Sequence, residues 1–173
     1  SVEEKMELYQ VGKKMLLEAG YLDVGMDHFS LPTDTLIEAK DNSSLHRNFM
    51  GYTDCHTQLN IALGVSSISD SWYGFAQNVK DVESYLEILS KGDLPTVKGH
   101  ILDEKDLEIR KIILDVMCKD RFLLPIELEE SSYDVLCDME SDGLIVLLGN
   151  EILITEIGKS FLRNIASLFD PYQ

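Results

Sequence analysis

The sequence predicts an α+β fold, and three observations carry that expectation. Apolar residues at helical spacing open and close the chain. Short apolar runs bounded by Gly, Pro, Asn and Ser lie between them. Gly149-Asn150 separates two such runs as the tight turn of a hairpin would.

From the start of the chain, Ser1 and Glu4 form an S-x-x-E capping box. Met6, Tyr9, Leu16 and Ala19, with Leu8 and Met15 beside them, continue a helix that Gly20 is placed to end. Tyr21–Met26 reads as a strand, and a full helix running into a strand reads as half of a βα repeat. A short helix is expected from Thr33 to Lys40, capped by Thr33 or Asp34. Leu63–Ile68 reads as a strand with small residues on one face. Val82–Leu89 is an amphipathic helix opened by Asp81 and closed near Gly92, and Val97–Leu102 is a strand. Asp103 caps a long helix bearing Leu107, Ile109, Ile112, Ile113, Val116 and Met117. A second helix spans Glu130–Ser141, the hairpin pairs Leu144–Leu148 with Glu151–Ile154, and Thr155 caps a last helix through Leu168. Helix, helix, hairpin, helix over 103–168 has a winged-helix-like outline. DNA binding is excluded, because Glu129, Glu130, Asp134, Asp138, Glu140 and Asp142 crowd the candidate recognition helix.

Composition narrows the function classes. The 173 residues carry a net charge of −16, which repels phosphate backbones and anionic lipid. Nucleic acid and membrane surfaces are therefore not expected partners. The cysteines are Cys55, Cys118 and Cys137, without CxxC spacing. That excludes a disulfide framework, argues for the reducing cytoplasm and leaves no thiolate cluster for a metal. Cys118 and Cys137 read as core residues of their helices. Ser1 in place of Met is what a processed start, a cloning remainder or an excised fragment would give.

The chemistry-bearing residues concentrate between 27 and 78, a polar and aromatic stretch of the kind that carries function in a compact domain. Asp27 beside His28 could act as an acid/base pair if the strand has ended there. Within Leu45–Thr53, Arg47 offers a fork for carboxylates, His46 could titrate near neutral pH, and Phe49 and Tyr52 could stack on a planar ligand. Asp54, Cys55 and His56 are too few for a convincing metal site. Gly64–Ser69 would let a ligand approach backbone closely.

GMDHFSLPTDTL (25–36), LHRNFMGYT (45–53), LGVSSIS (63–69), YGFAQN (73–78), KGHILDEKD (98–106) and TEIGKSFLRNIASLFD (155–170) follow one another in a set order. Together they resemble the C-terminal part of the oxygen-independent coproporphyrinogen III oxidases, radical SAM oxidoreductases of haem and porphyrin biosynthesis. A haem-chaperone relative is the alternative within the superfamily, but that branch usually lacks the HRNFxGYT block. The resemblance implies that residues 1–100 are the end of a radical SAM partial α/β barrel with its trailing strands. Residues 101–173 would be a mostly helical, winged-helix-like domain with a β-hairpin.

The family enzyme uses a [4Fe–4S] cluster, held by a CxxxCxxC motif, to cleave S-adenosylmethionine. The resulting radical oxidatively decarboxylates two propionates of coproporphyrinogen III to vinyls, giving protoporphyrinogen IX. No cysteine here stands in such a motif. The resemblance therefore implies a fragment that is inactive by itself and whose partner is the N-terminal barrel half.

The family's second S-adenosylmethionine site maps onto Phe49, Met50 and Ile68. Met50 stands where the family often has Gln, which exchanges an amide for a weak sulfur acceptor. Thr57–Gly64 replaces a TDLLGLG-like stretch and puts Leu59 where an Asp is expected. His46, Arg47 and Tyr52, cations and an aromatic, are the candidates for contact with the substrate, a large tetrapyrrole with four propionates. No catalytic residue is assigned. A sheet edge left open would favour self-association. The alternative function is a stand-alone, non-catalytic protein that binds a tetrapyrrole or a protein partner.

Overall fold

The computed structural model describes residues 1–124 and 130–172. Helix α1 (Val2–Glu18) opens on the capping box: Ser1 Oγ accepts from the Glu4 N–H, and the Glu4 carboxylate takes the chain's amino group. Strands β1 (Leu22–Gly25) and β2 (His28–Ser30) follow, then α2 (Thr35–Asp41), capped by Asp34.

The step from β1 corrects one expectation. The strand does not lead into a parallel repeat but folds straight back on β2, antiparallel. Met26 and Asp27 make the turn with φ of 40° and 67°, the left-handed pair that hairpin twist requires. Neither residue is Gly or Asn, so no turn signal marks it. The strand pairings of the described residues are all antiparallel, and they close no barrel.

Strands β3 (His46–Asn48) and β4 (Gly51–Thr53) form a second hairpin. A four-stranded sheet comes next, in the order β5-β6-β7-β8: Leu59–Asn60, Ile68–Ser71, Gly74–Asn78 and Thr96–Ile101. Here the expected strand over 63–68 fails except at Ile68. Gly64 (φ 105°) and Ser66 (φ 58°) turn the chain, and the Asn78 amide holds the loop by donating to Gly64 O at 3.0 Å and Ser67 Oγ at 3.2 Å. Helix α3 (Val82–Ser90), capped by Asp81, joins β7 to β8.

The remainder is α4 (Glu104–Cys118), β9 (Arg121–Leu123), α5 (Glu130–Ser141), β10 (Ile145–Leu148) and β11 (Glu151–Ile154). Strand β9 adds to the hairpin as a third strand in the order β10-β11-β9, a partner too short to mark itself in sequence. Glu129, read as part of the acidic helix, lies outside the described residues. The last helix is not continuous from Thr155. A 3-10 turn (Gly158–Phe161) precedes α6 (Leu162–Ser167). Thr155 Oγ1 accepts from Gly158 N–H at 3.0 Å and donates to Gly143 O at 2.7 Å, which ties this turn to the end of α5.

Two apolar cores result. The larger joins α4, α5, α6 and the three-stranded sheet through Val116, Leu136, Ile145, Ile152 and Ile165. The smaller gathers Val24, Ile37, Ala39 and Leu45, with Tyr52 and Cys118 against it. Cys137 is exposed and not a core residue, because Leu136 takes the inward position and the next residue turns about 100° away. Among the described residues no helix is long and apolar enough to cross a membrane.

Candidate functional site

The two small hairpins interlock through their glycines. A Cβ on Gly25 (φ 141°) would lie 2.6 Å from the Tyr52 hydroxyl, and one on Gly51 (φ 139°) would lie 3.0 Å from His28 Nε2. Each hairpin therefore leaves out a side chain where the other inserts a ring. His28 and Tyr52 then meet edge to face at 5.2 Å, and His28 Nδ1 lies 2.8 Å from Met26 O. The phenol donates to Met117 O at 2.6 Å, bolting both hairpins to α4. Burial raises its pKa well above the ordinary phenol value. Tyr52 is thus a committed structural hydroxyl, and Asp27, exposed at the turn, does not form a pair with His28.

Arg47 lies across from Tyr52 in the hairpin register, its guanidinium 4.7 Å over the ring. Its buried Nη1 has no hydrogen-bond partner among the described residues. His46, one residue earlier, takes the opposite face of β3. Its ring lies 4.3 Å from His56, which in turn meets Trp72 edge-on at 5.8 Å. Desolvation first, then the neighbouring His56 and Arg110, lowers the His46 pKa. His46 and Arg47 therefore do not converge on one ligand atom.

From Trp72 the contacts continue to Arg110, which stacks 4.7 Å from that ring and 5.0 Å from Phe75. Asp70 clamps Arg110 Nη2 with both carboxylate oxygens, at 2.8 and 2.9 Å, while Nη1 donates to Ser71 O at 3.1 Å. Phe49, at the tip of the β3–β4 hairpin, meets Phe75 edge-on at 5.2 Å. Ile68 lies opposite Gln77 and Asp70 opposite Phe75 in the β6–β7 register, so Ile68, Asp70 and Phe75 share one sheet face. The structure thus brings Phe49 onto the face that carries Ile68. Met50 stands beside Phe49 at the tip, 89% exposed. Leu59, also exposed, lies opposite Ser71 in β5.

Sequence reading missed the Asp70–Arg110–Trp72 anchor. Arg110 lies within an ordinary helical pattern and Asp70 in a serine-rich segment, so only the tertiary fold relates them.

The residues present do not fit an iron–sulfur cluster. Cys55 and Cys137 are exposed and Cys118 is partly buried, its thiol pushed up to about 11 by burial. No group of three or more His, Cys, Asp or Glu among the described residues could hold a metal ion. The hairpin tip does fit part of a nucleoside site, since the half-exposed Phe49 ring can stack on a planar heterocycle.

Comparison with known proteins defines the class first: over its whole length the chain has the fold of part of a radical SAM enzyme. It superposes on coproporphyrinogen III oxidase (HemN) from Escherichia coli, a radical SAM enzyme, with TM-score 0.86 and 29% identity, covering 100% of this chain and 42% of that one. Among curated proteins it is similar to the oxygen-independent coproporphyrinogen III oxidases, and it matches their C-terminal part. Identity is 36% to that of Synechocystis, over 98% of this chain and 40% of the relative. It is also 36% to that of Pseudomonas aeruginosa, over 98% and 39%, and 33% to that of Thermostichus vulcanus, over 97% and 55%. The chain thus spans about two fifths of the length of most curated relatives it matches. No protein-family model matches it.

Proposed function

We propose that this chain is the C-terminal portion of an oxygen-independent coproporphyrinogen III oxidase. The whole enzyme would convert two propionates of coproporphyrinogen III to vinyls, giving protoporphyrinogen IX in porphyrin biosynthesis. The observation that carries the reading is the end-to-end match to such enzymes at 36% identity, together with the TM-score of 0.86. S-adenosylmethionine would supply the radical chemistry when bound to a cluster held by the N-terminal barrel half, which is the expected partner. This chain's residues are not the cluster's ligands and by themselves perform no redox step.

Their roles are binding and orientation. Phe49, Met50 and Ile68 would line the second S-adenosylmethionine site, with Phe49 offering a ring to stack on and Ile68 an apolar contact. Met50 supplies no amide, so the polar contact of its Gln-bearing relatives would fall to backbone. The unpartnered Arg47 would receive a propionate of the substrate, with Tyr52 holding the guanidinium in place. His46, on the other face of β3, would touch the substrate only if the substrate reaches around that strand. In finer detail, residues 1–100 would complete the barrel and residues 101–173 would form a winged-helix-like cover domain. The exposed edge strand β8 would permit self-association of the isolated chain. The reducing cytoplasm suits its unpaired thiols.

The test is an anaerobic assay of the native protein purified from its source cells, with coproporphyrinogen III, S-adenosylmethionine and a reductant. Chromatography should show a tripropionate intermediate and then protoporphyrinogen, both dependent on S-adenosylmethionine. Absence of either product from protein that carries its cluster would overturn the reading.

A further inference from the structure

A cavity of about 440 Å³ lies between β3, the segment after β4, Trp72 and the C-terminal half of α4. That volume falls within the range of small-ligand sites, roughly 300–1,000 Å³. Leu45, Leu114 and Cys118 supply apolar wall, and Trp72 supplies an aromatic one. His46 and His56, whose rings lie 4.3 Å apart and tilted by 41°, line it together with Lys111 and Lys119. We propose that this cavity binds a small planar aromatic anion of the arene carboxylate class.

Charge and shape argue together. Asp115 is the carboxylate in the cavity wall, and Lys119 already neutralises it at 2.6 Å. Lys111 makes no ion pair among the described residues, so its charge is uncompensated. Behind Trp72, Arg110 is already matched by Asp70. A positive cavity on a chain of net charge −16 concentrates attraction at one place. The carboxylate would sit between Lys111 and the imidazoles, and the ring would lie against Trp72.

The imidazole pair adds proton linkage. Two cationic rings 4.3 Å apart repel, and His46 already titrates low because of desolvation and the nearby His56 and Arg110. An anion beside His46 favours its charged form, as the more distant Asp70 already does, so binding takes up protons. The Cys118 thiol, at about 11, stays neutral throughout.

The test is isothermal titration calorimetry of the 173-residue chain with 2-naphthoate, run in buffers of different ionisation enthalpy. Expected are saturable binding of one molecule per chain and net proton uptake. 2-Naphthalenemethanol, the uncharged analogue, should bind at least about tenfold more weakly, as should Lys111→Gln or His56→Gln with naphthoate. Both substituted residues are exposed, so the fold survives their replacement. No saturable heat at millimolar naphthoate, equal binding of the uncharged analogue, or variants that bind like the parent would each overturn the proposal. It rests on this chain's own residues, so a failed oxidase assay would leave it standing.

Discussion

The regions before and after residue 101 hold themselves together by different means. Beyond it, α4, α5, α6 and a three-stranded sheet enclose a core in which Leu136, Ile152 and Ile165 are fully buried. Before it, the buried apolar cluster consists of Val24, Ile37, Ala39 and Leu45. Meanwhile Leu8, Met15, Ile61, Leu63, Val97 and Ile101 remain exposed. The first region substitutes directional contacts for a core: interlocked glycines, a phenol on a helix carbonyl and a clamped guanidinium. A region so built keeps its hairpin tip, Phe49 and Met50, in place without much apolar burial. Its open apolar faces match those of a layer meant to be covered, in keeping with a chain that spans two fifths of its relatives.

The comparison can be broken by substitutions on either side. The largest effect is expected from Gly158→Ala. Its Cβ would collide with Leu144 O, a backbone atom that cannot yield. The cost is expected to exceed about 4 kcal/mol, and circular dichroism should show the second region unfolded. Next comes Asp70→Asn, which leaves Arg110 buried without its counter-charge. About 3 kcal/mol should be lost in urea unfolding. Amide exchange should accelerate mainly in β6, β7 and the first turns beside them. Uniform acceleration through α5 and α6 would mean that the two regions are one cooperative unit.

Gly25→Ala should cost about 2–3 kcal/mol, from the forbidden backbone angle and the clash with Tyr52. Its signature is local: loss of the Tyr52 hydroxyl signal's protection from solvent, while the larger core stays intact. The smallest effect concerns pH. Desolvation opposes ionisation of Asp106, yet bonds from the Asp103 N–H, Tyr172 and His100 outweigh it and hold its carboxyl below the ordinary range. A lowered folded pKa means stability present above the unfolded value, and lost as pH falls through the folded one. An acid titration should therefore release the tail at Tyr172 only below the usual carboxylate range. Asp106→Asn should flatten that dependence.

What the sequence made legible were features written in short spacing. The caps at Ser1, Asp81 and Asp103 and the turn at Gly149-Asn150 each depend on residues within four positions, and each is found as read. The Met26-Asp27 turn was hidden because it uses a left-handed backbone without glycine. The strand proposed at 63–68 mistook small residues in a looped segment for a packed face. The order of motifs pointed to Phe49 and Ile68; in the fold the Phe49 ring meets Phe75, which shares a face of the β6–β7 pair with Ile68. The opposed faces of His46 and Arg47 follow from strand alternation. They became visible only once β3 was known to be a strand. The chain from His56 through Trp72 to Arg110 links residues tens of positions apart, and no local pattern announces it.

The central claim is that this chain is part of a larger enzyme, and the size of the native protein tests it most directly. An antibody raised against the 19.6 kDa chain would probe a denatured extract of the source cells. The account predicts a single band at more than twice that mass, as coverage of two fifths of the relatives requires. A single band at the mass of the chain itself would contradict it, and binding at the cavity beside Trp72 would then be the function to pursue.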